Sequence, residues 1–477
     1  MNIPKENFSE WYNEIIKEAH LCDLRYNLKG FVVIPPNAAQ VMKIMYRIYE
    51  EALERKGHLP AYFPALIPER NLRSESEHVE GFVPEVFWVT KAGANELEEA
   101  MAMRPTSETA MYPMYALWIN GKSDLPLKIY QSCQVWRHET KATKPFIRTR
   151  EFYWIEAHDV FATEEEALMQ VKEDMETTEE ILHLRFGIPF IFFKRPQWDK
   201  FAGAVDTYAA DTLMPDGKTL QLPSTHMLGQ NFSKAFNVRY MDEDGMHQFG
   251  WQTCYGPAIS RIYAALFSTH GDSKGLVYPF ELAPVQVMII PIVKKDTEAE
   301  VRKKVEGLRG VLSAHFRVEA DFSNNTPGFK YNKWELLGVP IRIEIGMRDI
   351  QKGACVLALR DTGEKREVKL DSLPEAINGE AALLTERLIL RADSWFSGLV
   401  HSADSDAELG KAVEKGGFVR IPFCSDRMEG KPCAERLKEK YSVNIRGSKY
   451  GEKEKPSGKC VGCGKPAAIY LYAARQY

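Results

Sequence analysis

The stretch LKIYQSCQVWRHETKATKPFIRTREFYWIEAHDVF, residues 127–161, opens with apolar residues alternating through Leu127, Ile129, Cys133 and Val135. A polar, lysine-bearing segment from Thr140 to Pro145 interrupts the alternation, which resumes after Phe146. This pattern predicts two antiparallel strands joined by a flexible loop. Successive side chains on a strand point to opposite faces, so Arg137 and Glu139 share a face at the end of the first strand. On the second strand Arg148, Arg150, Phe152, Trp154, Glu156 and His158 share one. Unpaired buried charges cost several kcal/mol each, so such a face either opens on water or waits for a charged ligand. A merely solvated face would carry small polar residues where Phe152 and Trp154 stand. A ligand with anionic, flat and small apolar parts satisfies every member, and a nucleotide together with an amino acid is such a ligand.

At 477 residues the chain exceeds one hydrophobic core, and about three domains are expected. With 44% apolar and 27% charged residues it has an ordinary soluble composition, and no apolar run approaches the roughly 20 residues of a membrane span. The start, MNIPKENFSEWY, does not resemble a signal peptide, so a cytoplasmic protein without membrane attachment is expected. The formal net charge of -4 conceals a basic end. Residues 431–465 hold ten Lys or Arg against four acids, a surplus of six that could hold a polyanion or form a solvated tail. Four of the eight cysteines, Cys424, Cys433, Cys460 and Cys463, gather near that end. Without a secretory signal they read as a zinc site, the closing Cys-x-x-Cys with Gly462 and Gly464 being a good tetrahedral knuckle. Reduced free thiols are the alternative.

Outward from the hairpin, Val41, Met45, Ile48 and Ala52 mark one face of a helix from Ala38 to Arg55, ended by Gly57. AYFPALIP reads as a short strand closed by Pro64, and a polar loop runs on to Gly81. In MAMRPTSETAMYPMYALWI, Pro105 and the hydroxyls suit a helix start, where Thr106 reads as a cap and Glu108 as a dipole partner. Thr163 and Glu166 form a capping box opening a structural helix through Leu168, Val171, Met175 and Leu182 to Gly187. LQLPSTHMLGQNFSKAF brings Gln221, Ser224 and His226 along a strand turning into a loop. HQFGWQTCYGPAISRIYAALFSTHGD reads as strand, Gly256-Pro257 turn, then helix from Ala258, with Arg261 in its first turn. Arginine there opposes the helix dipole, so phosphate binding explains it better than structure does.

From Ala283 strands and helices alternate: VQVMIIPIV, a helix Thr297 to Phe316, VEADF, a helix Lys330 to Leu337, PIRIEIG, and a hairpin turning at residues 361–363. That is a compact α/β domain without a Gly-rich phosphate loop, hence a binding module. A linking helix, Leu373 to Trp395, leads to the cysteine-bearing end. The domains are placed at 1–282, 283–395 and 396–477.

If the hairpin face and Arg261 surround one cavity, a triphosphate would meet Arg137, Arg148 and Arg261, with adenine on Phe152 and its amine on Glu139. Trp154, Glu156 and His158 would border an amino-acid pocket. Such a site needs no protein nucleophile: a carboxylate attacks the α-phosphorus, pyrophosphate leaves, and Arg137 neutralises the developing charge, with Arg261 beside it. Magnesium would bridge the phosphates.

WRHE followed by RTREF resembles the second signature motif of class II aminoacyl-tRNA synthetases. The Ala38 helix with the strand ending at Pro64 is similar to their first motif, and the Arg261 segment to their third, though a second glycine is missing from residues 256–261. RPTSET, TREFYWIEAH, STHMLGQNFSKAF, THGD with GLVYP, and GVPIRIEIGMRD resemble the archaeal and eukaryotic-type prolyl-tRNA synthetases, over nearly the whole chain. The resemblance implies a class II antiparallel-sheet catalytic domain, an α/β anticodon-binding domain and a small zinc-binding C-terminal domain. It implies activation of L-proline with ATP and transfer to tRNA(Pro). Arg137, Glu139, Arg148, Thr149, Phe152, Gln221 and Arg261 would hold ATP. Thr106, Glu108, Arg137, Trp154, Glu156, His158, Phe201 and His226 would form the proline pocket, with Ser260 near it. Lys141 and Lys144 would meet the tRNA acceptor end, and Lys330, Glu344 and Arg348 the anticodon. The terminal Tyr477 would bring its carboxylate near the active site, and the first motif implies a homodimer. The 89 residues from 162 to 250 leave no room for the editing insertion of bacterial relatives. Two other readings are a class II enzyme for threonine or serine and a synthetase-like tRNA-binding protein that has lost catalysis. Threonine enzymes ligate zinc with Cys and His in the pocket, and no such set is expected here.

Overall fold

The computed structural model describes residues 3–72, 85–294 and 296–477; the polar loop expected up to Gly81 lies largely outside them. The hairpin forms as Leu127–Trp136 against Glu151–Phe161, with Gln131 opposite Glu156, Cys133 opposite Trp154 and Val135 opposite Phe152. Arg148 and Arg150 lie on the bend before the second strand. Arg150 packs on Gly30, and its Nε donates to the Glu139 carbonyl at 3.2 Å, away from the charged face. The loop is also anchored, against expectation: Phe146 is 2% exposed, stacked edge-on against Tyr263 and Phe267, and Tyr12 Oη donates to the Pro145 carbonyl.

The hairpin lies within a sheet that runs, in spatial order, through residues 59–60, 127–136, 151–161, 251–256, 219–229, 206–213 and 191–194, then 444–449, 469–474, 418–423 and 400–402. Ser448 pairs with Lys194 and Lys449 with Phe193, so the cysteine-bearing end extends the hairpin's sheet instead of standing apart. The helices Phe8–Glu18, Pro36–Arg55 and Ile259–His270 close one face over a core that includes Trp11, Tyr12, Tyr49 and Phe267. The capping box at Thr163 and Glu166 opens Glu164–Thr178 as expected, and the chain continues as a π-turn, Glu179–Arg185. Leu168 is exposed, outside the buried stripe of that helix. AYFPALIP is not a strand closed at Pro64: only Leu66–Pro68 of it pairs, in a second small sheet, and Leu59–Pro60 just before it pairs parallel with the hairpin. The prolines at 60, 64 and 68 remove ladder donors and break the run.

The α/β unit has the strand order 318–320, 287–292, 341–346, 354–359, 365–369, with a short helix, Met347–Lys352, that the periodicity did not announce. Arg360 fastens it to the unit that holds the hairpin, its two terminal nitrogens donating to Asp272 at 2.7 and 2.8 Å. No helix of the described residues is long and apolar enough to cross a membrane.

The helix Leu373–Ser397 docks through His183, whose ring N–H groups donate to Glu179 at 2.6 Å and Asp393 at 3.0 Å. The bond to Glu179 leads in lifting the imidazole pKa from 6.5 to about 9, with Asp393 adding to it. A raised pKa stabilises the fold below the unfolded value and loses that contribution as pH climbs through the folded one. His183→Gln should therefore lower stability by about 1 kcal/mol near pH 6, after allowance for solvent screening, and by nothing near pH 10. Thermal melting at the two pH values checks it.

Candidate active site

Parity along Glu151–Phe161 puts Phe152, Trp154, Glu156 and His158 on one face, and the neighbouring strands determine what they meet. Arg137, just past the first strand, is anchored by its Nε to the Pro105 carbonyl at 3.0 Å and lies over the rings of Phe152 and Trp154 at 5.2 and 5.6 Å. Arg261 donates from Nε to the Ile147 carbonyl. Burial, then repulsion from Arg137 and Arg148, depresses its pKa to about 10. Glu139 is the nearby acid, 3.9 Å from Arg148 and accepting from the Lys141 amide. Three guanidiniums gathered around one carboxylate leave an excess of positive charge, which suits a polyphosphate.

The other end is acidic and sealed. Glu156, 2% exposed, accepts from the Ser107 amide and hydroxyl at 3.0 Å and from His158 Nε2 at 3.2 Å. Burial works to raise its pKa, yet His158 and Ser107 hold it below the usual range. Glu108, equally buried, accepts from Thr106 at 2.5 Å, and burial with the neighbouring Glu156 pushes its carboxyl up. His158 Nδ1 meets Tyr112 Oη at 2.9 Å; burial opposes its protonation, but Glu156 and Glu108 raise its pKa overall. His226 lies 4.9 Å from Phe201, its nitrogens engaged by Thr207 and Ser224, and burial drives its pKa to about 3. It is a neutral wall of the pocket. The Trp154 indole N–H is buried with no partner, a donor left for a ligand.

Several expected residues are occupied elsewhere. Thr106 is not the helix cap: Glu108–Trp118 begins after Ser107, and the Thr106 hydroxyl serves Glu108. Thr149 donates to the Glu151 carbonyl at 2.7 Å, and Ser260 accepts from the Tyr153 amide at 2.9 Å, so both hydroxyls shape backbone. Lys144 lies over the rings of Tyr12 and Tyr477 at 4.4 and 4.8 Å instead of projecting from the loop, whereas Lys141 is exposed. Lys330 is 4% exposed and donates to the Asp321 carbonyl; Glu344, 6% exposed, pairs with Arg342 and Lys365. Of those three only Arg348 faces solvent. Tyr477 packs against the core and donates to Asp216. Cys254 stands with Glu108 and His158 in a cluster whose ligand atoms lie within 4.8 Å, a Cys/His set that the sequence did not announce. Both His158 nitrogens are engaged, and burial, reinforced by the carboxylates, pushes the Cys254 thiol well up, which favours an amine pocket over a metal. Ser107, Gln131 and Tyr112 escaped notice; the parity that placed Ile129 and Cys133 on this face also placed Gln131 there, donating to Ser107 at 2.6 Å. A cavity of about 1520 Å³ lined by Lys5, Asp272, Leu336 and Trp395 includes none of the hairpin residues.

The four clustered cysteines converge, their sulfurs within 4.8 Å of one another and Cys424 Sγ 3.7 Å from Cys433 Sγ. A tetrahedron with zinc–sulfur bonds of about 2.3 Å has edges of about 3.8 Å. Gly462 lies so close to Cys433 that an added Cβ would fall 2.5 Å from that residue's Cβ.

Residues 87–270 match the model of the tRNA synthetase class II core domain (G, H, P, S and T), 286–380 the anticodon binding domain, and 407–477 the prolyl-tRNA synthetase C-terminal domain. The proline–tRNA ligase of Thermofilum pendens is 49% identical over 99% of this chain and 98% of its own, and that of Pyrococcus horikoshii 42% over the same shares. The chain belongs to the prolyl-tRNA synthetase family. A Giardia lamblia prolyl-tRNA synthetase solved with prolyl-adenylate superposes at a TM-score of 0.96, with 36% identity, covering 100% of this chain and 99% of that one. The Cryptosporidium parvum enzyme, complexed with halofuginone and AMPPNP, gives 0.92 and 33% over the same shares. As a proline–tRNA ligase, the chain activates proline with ATP and charges tRNA.

A Cβ on Gly256 would lie 2.5 Å from Trp154 Cζ2, so Gly256→Ala should drive the indole into the amino-acid end. The KM for proline should rise about tenfold with the KM for ATP unchanged, read by pyrophosphate exchange.

Proposed function

We propose that the hairpin face divides the activation reaction between its two ends. ATP lies at the cationic end: Arg148 and Arg261 hold its phosphates, Phe152 and Glu139 its adenine, and Gln221 the nucleoside. Magnesium accompanies the triphosphate. Proline lies at the acidic end, where Glu108 and Glu156, the latter steadied by His158, receive its ammonium and Trp154 and Phe201 enclose its ring. Its carboxylate attacks the α-phosphorus, the bond to pyrophosphate breaks, and prolyl-adenylate remains. Arg137, reaching over both aromatic rings, balances the charge that builds on the α-phosphoryl oxygens. The observation that carries this reading is the junction, across the hairpin face, of a surplus of guanidiniums with two sealed carboxylates, Glu156 on the strand and Glu108 at the start of the neighbouring helix.

We infer further that the four cysteines hold a structural zinc, supported by their tetrahedral spacing, and that the enzyme works in the cytoplasm. A homodimer is favoured by the apolar edge left open beside the first motif, where Leu59 is 64% and Tyr62 92% exposed, with Leu117 at 68%. Lys141 and Arg348 are the exposed cations best placed for tRNA.

Pyrophosphate exchange across the amino acids tests the reading, with Arg137→Ala beside it. Proline should give the strongest signal, with alanine and cysteine weaker but measurable, since a methylene of difference contributes only about 1–3 kcal/mol. Arg137→Ala should reduce kcat by about 10²–10³-fold. Stimulation by threonine or serine in place of proline, or an unaffected Arg137→Ala, would overturn it.

A further inference from the structure

Arg446 belongs to the C-terminal module, on the strand Asn444–Lys449, yet its side chain ends inside the catalytic sheet and it is 4% exposed. Its Nε donates to Asp211 Oδ2 at 2.7 Å, and its backbone carbonyl accepts from Arg195 Nη1 at 2.7 Å. Arg195 grips the same carboxylate with both terminal nitrogens, at 2.7 and 2.9 Å, and its Nη2 also donates to Gln221 Oε1 at 3.0 Å. Asp211 and Gln221 stand opposite each other in the ladder, so the four side chains form one line from the module to the cleft. Arg195 and Asp211 are sealed, while Gln221 is partly open. The chain's end reinforces the line: Gln476 accepts from Arg446, and Thr219, two residues before Gln221, exchanges backbone hydrogen bonds with the terminal residues.

Two physical consequences follow. Burial alone would push the Asp211 carboxyl up, but the two guanidiniums hold it below its usual range, so the carboxylate stays charged and the line stays intact. A guanidinium offers only donors, so the Gln221 oxygen must face Arg195. The amide NH₂ is thereby turned outward as a donor.

We propose that Arg446 is a positioning residue for the activation step: through Asp211 and Arg195 it fixes the Gln221 amide with its NH₂ toward the nucleotide. This rests on the reading that Gln221 faces ATP. The C-terminal module then sets ATP affinity through this line of side chains, without touching the nucleotide.

Pyrophosphate exchange by the full-length enzyme tests this with Arg446→Gln, Arg446→Lys, Gln221→Ala and the pair Arg446→Gln with Gln221→Ala. Arg446→Gln should raise the KM for ATP about tenfold, the loss expected from one charge-assisted hydrogen bond, and leave the KM for proline within about twofold. In the Gln221→Ala background the same substitution should add nothing. If Gln221→Ala leaves the KM for ATP unchanged, the nucleotide reading of Gln221 fails. If Gln221→Ala raises it but Arg446→Gln does not, or shifts both KM values together, or acts equally in the Gln221→Ala background, the relay fails and the line is only an ion pair between modules. Should Arg446→Gln not fold, Arg446→Lys carries the same comparison, since it keeps the charge and loses the fork.

Discussion

The antiparallel register that sets Gln131 opposite Glu156 and Cys133 opposite Trp154 is the constraint on which the active site depends. A slip of one residue would turn Phe152, Trp154, Glu156 and His158 to the helical side and present Tyr153, Ile155, Ala157 and Asp159 instead. Two bonds from the third motif also anchor the second strand: the Ser260 hydroxyl accepts the Tyr153 amide, and the Pro257 carbonyl accepts that of Ile155. The helix that carries Arg261 is thus fastened to the strand that carries the pocket.

Charge then separates along that strand. At one end Arg137, Arg148 and Arg261 outnumber Glu139; at the other Glu108 and Glu156 share a sealed pocket with one imidazole. Neither end is balanced by protein alone. Buried ions of this kind are weak devices for stability and strong ones for ligand selection.

Much of this was legible in the sequence because parity is a local rule. Alternation located the hairpin, and strand-turn-helix punctuation put Arg261 in the first turn of its helix. Family-level motifs supplied what no local rule could, that residues 106, 137, 156 and 226 meet across four separate segments. Hydroxyls were the weak point. Thr106, Thr149 and Ser260 can cap, bond backbone or bind ligand, and only the folded neighbourhood decides which. The same holds for Lys144, whose ammonium the rings of Tyr12 and Tyr477 claim, and for Lys330, drawn inward by the Asp321 carbonyl. Joining the C-terminal strands to the catalytic sheet was invisible for another reason: the edge pairing through Lys194 and Ser448 spans more than 250 residues and leaves no periodic trace.

The division of labour along the strand is tested most directly by measuring KM for ATP and for proline in pyrophosphate exchange with Phe152→Leu and Glu156→Gln. Phe152→Leu should raise the KM for ATP about tenfold and Glu156→Gln that for proline by at least about tenfold, each sparing the other substrate. If both substitutions shift the same KM, or each shifts the two together, the strand is not divided into a nucleotide end and an amino-acid end.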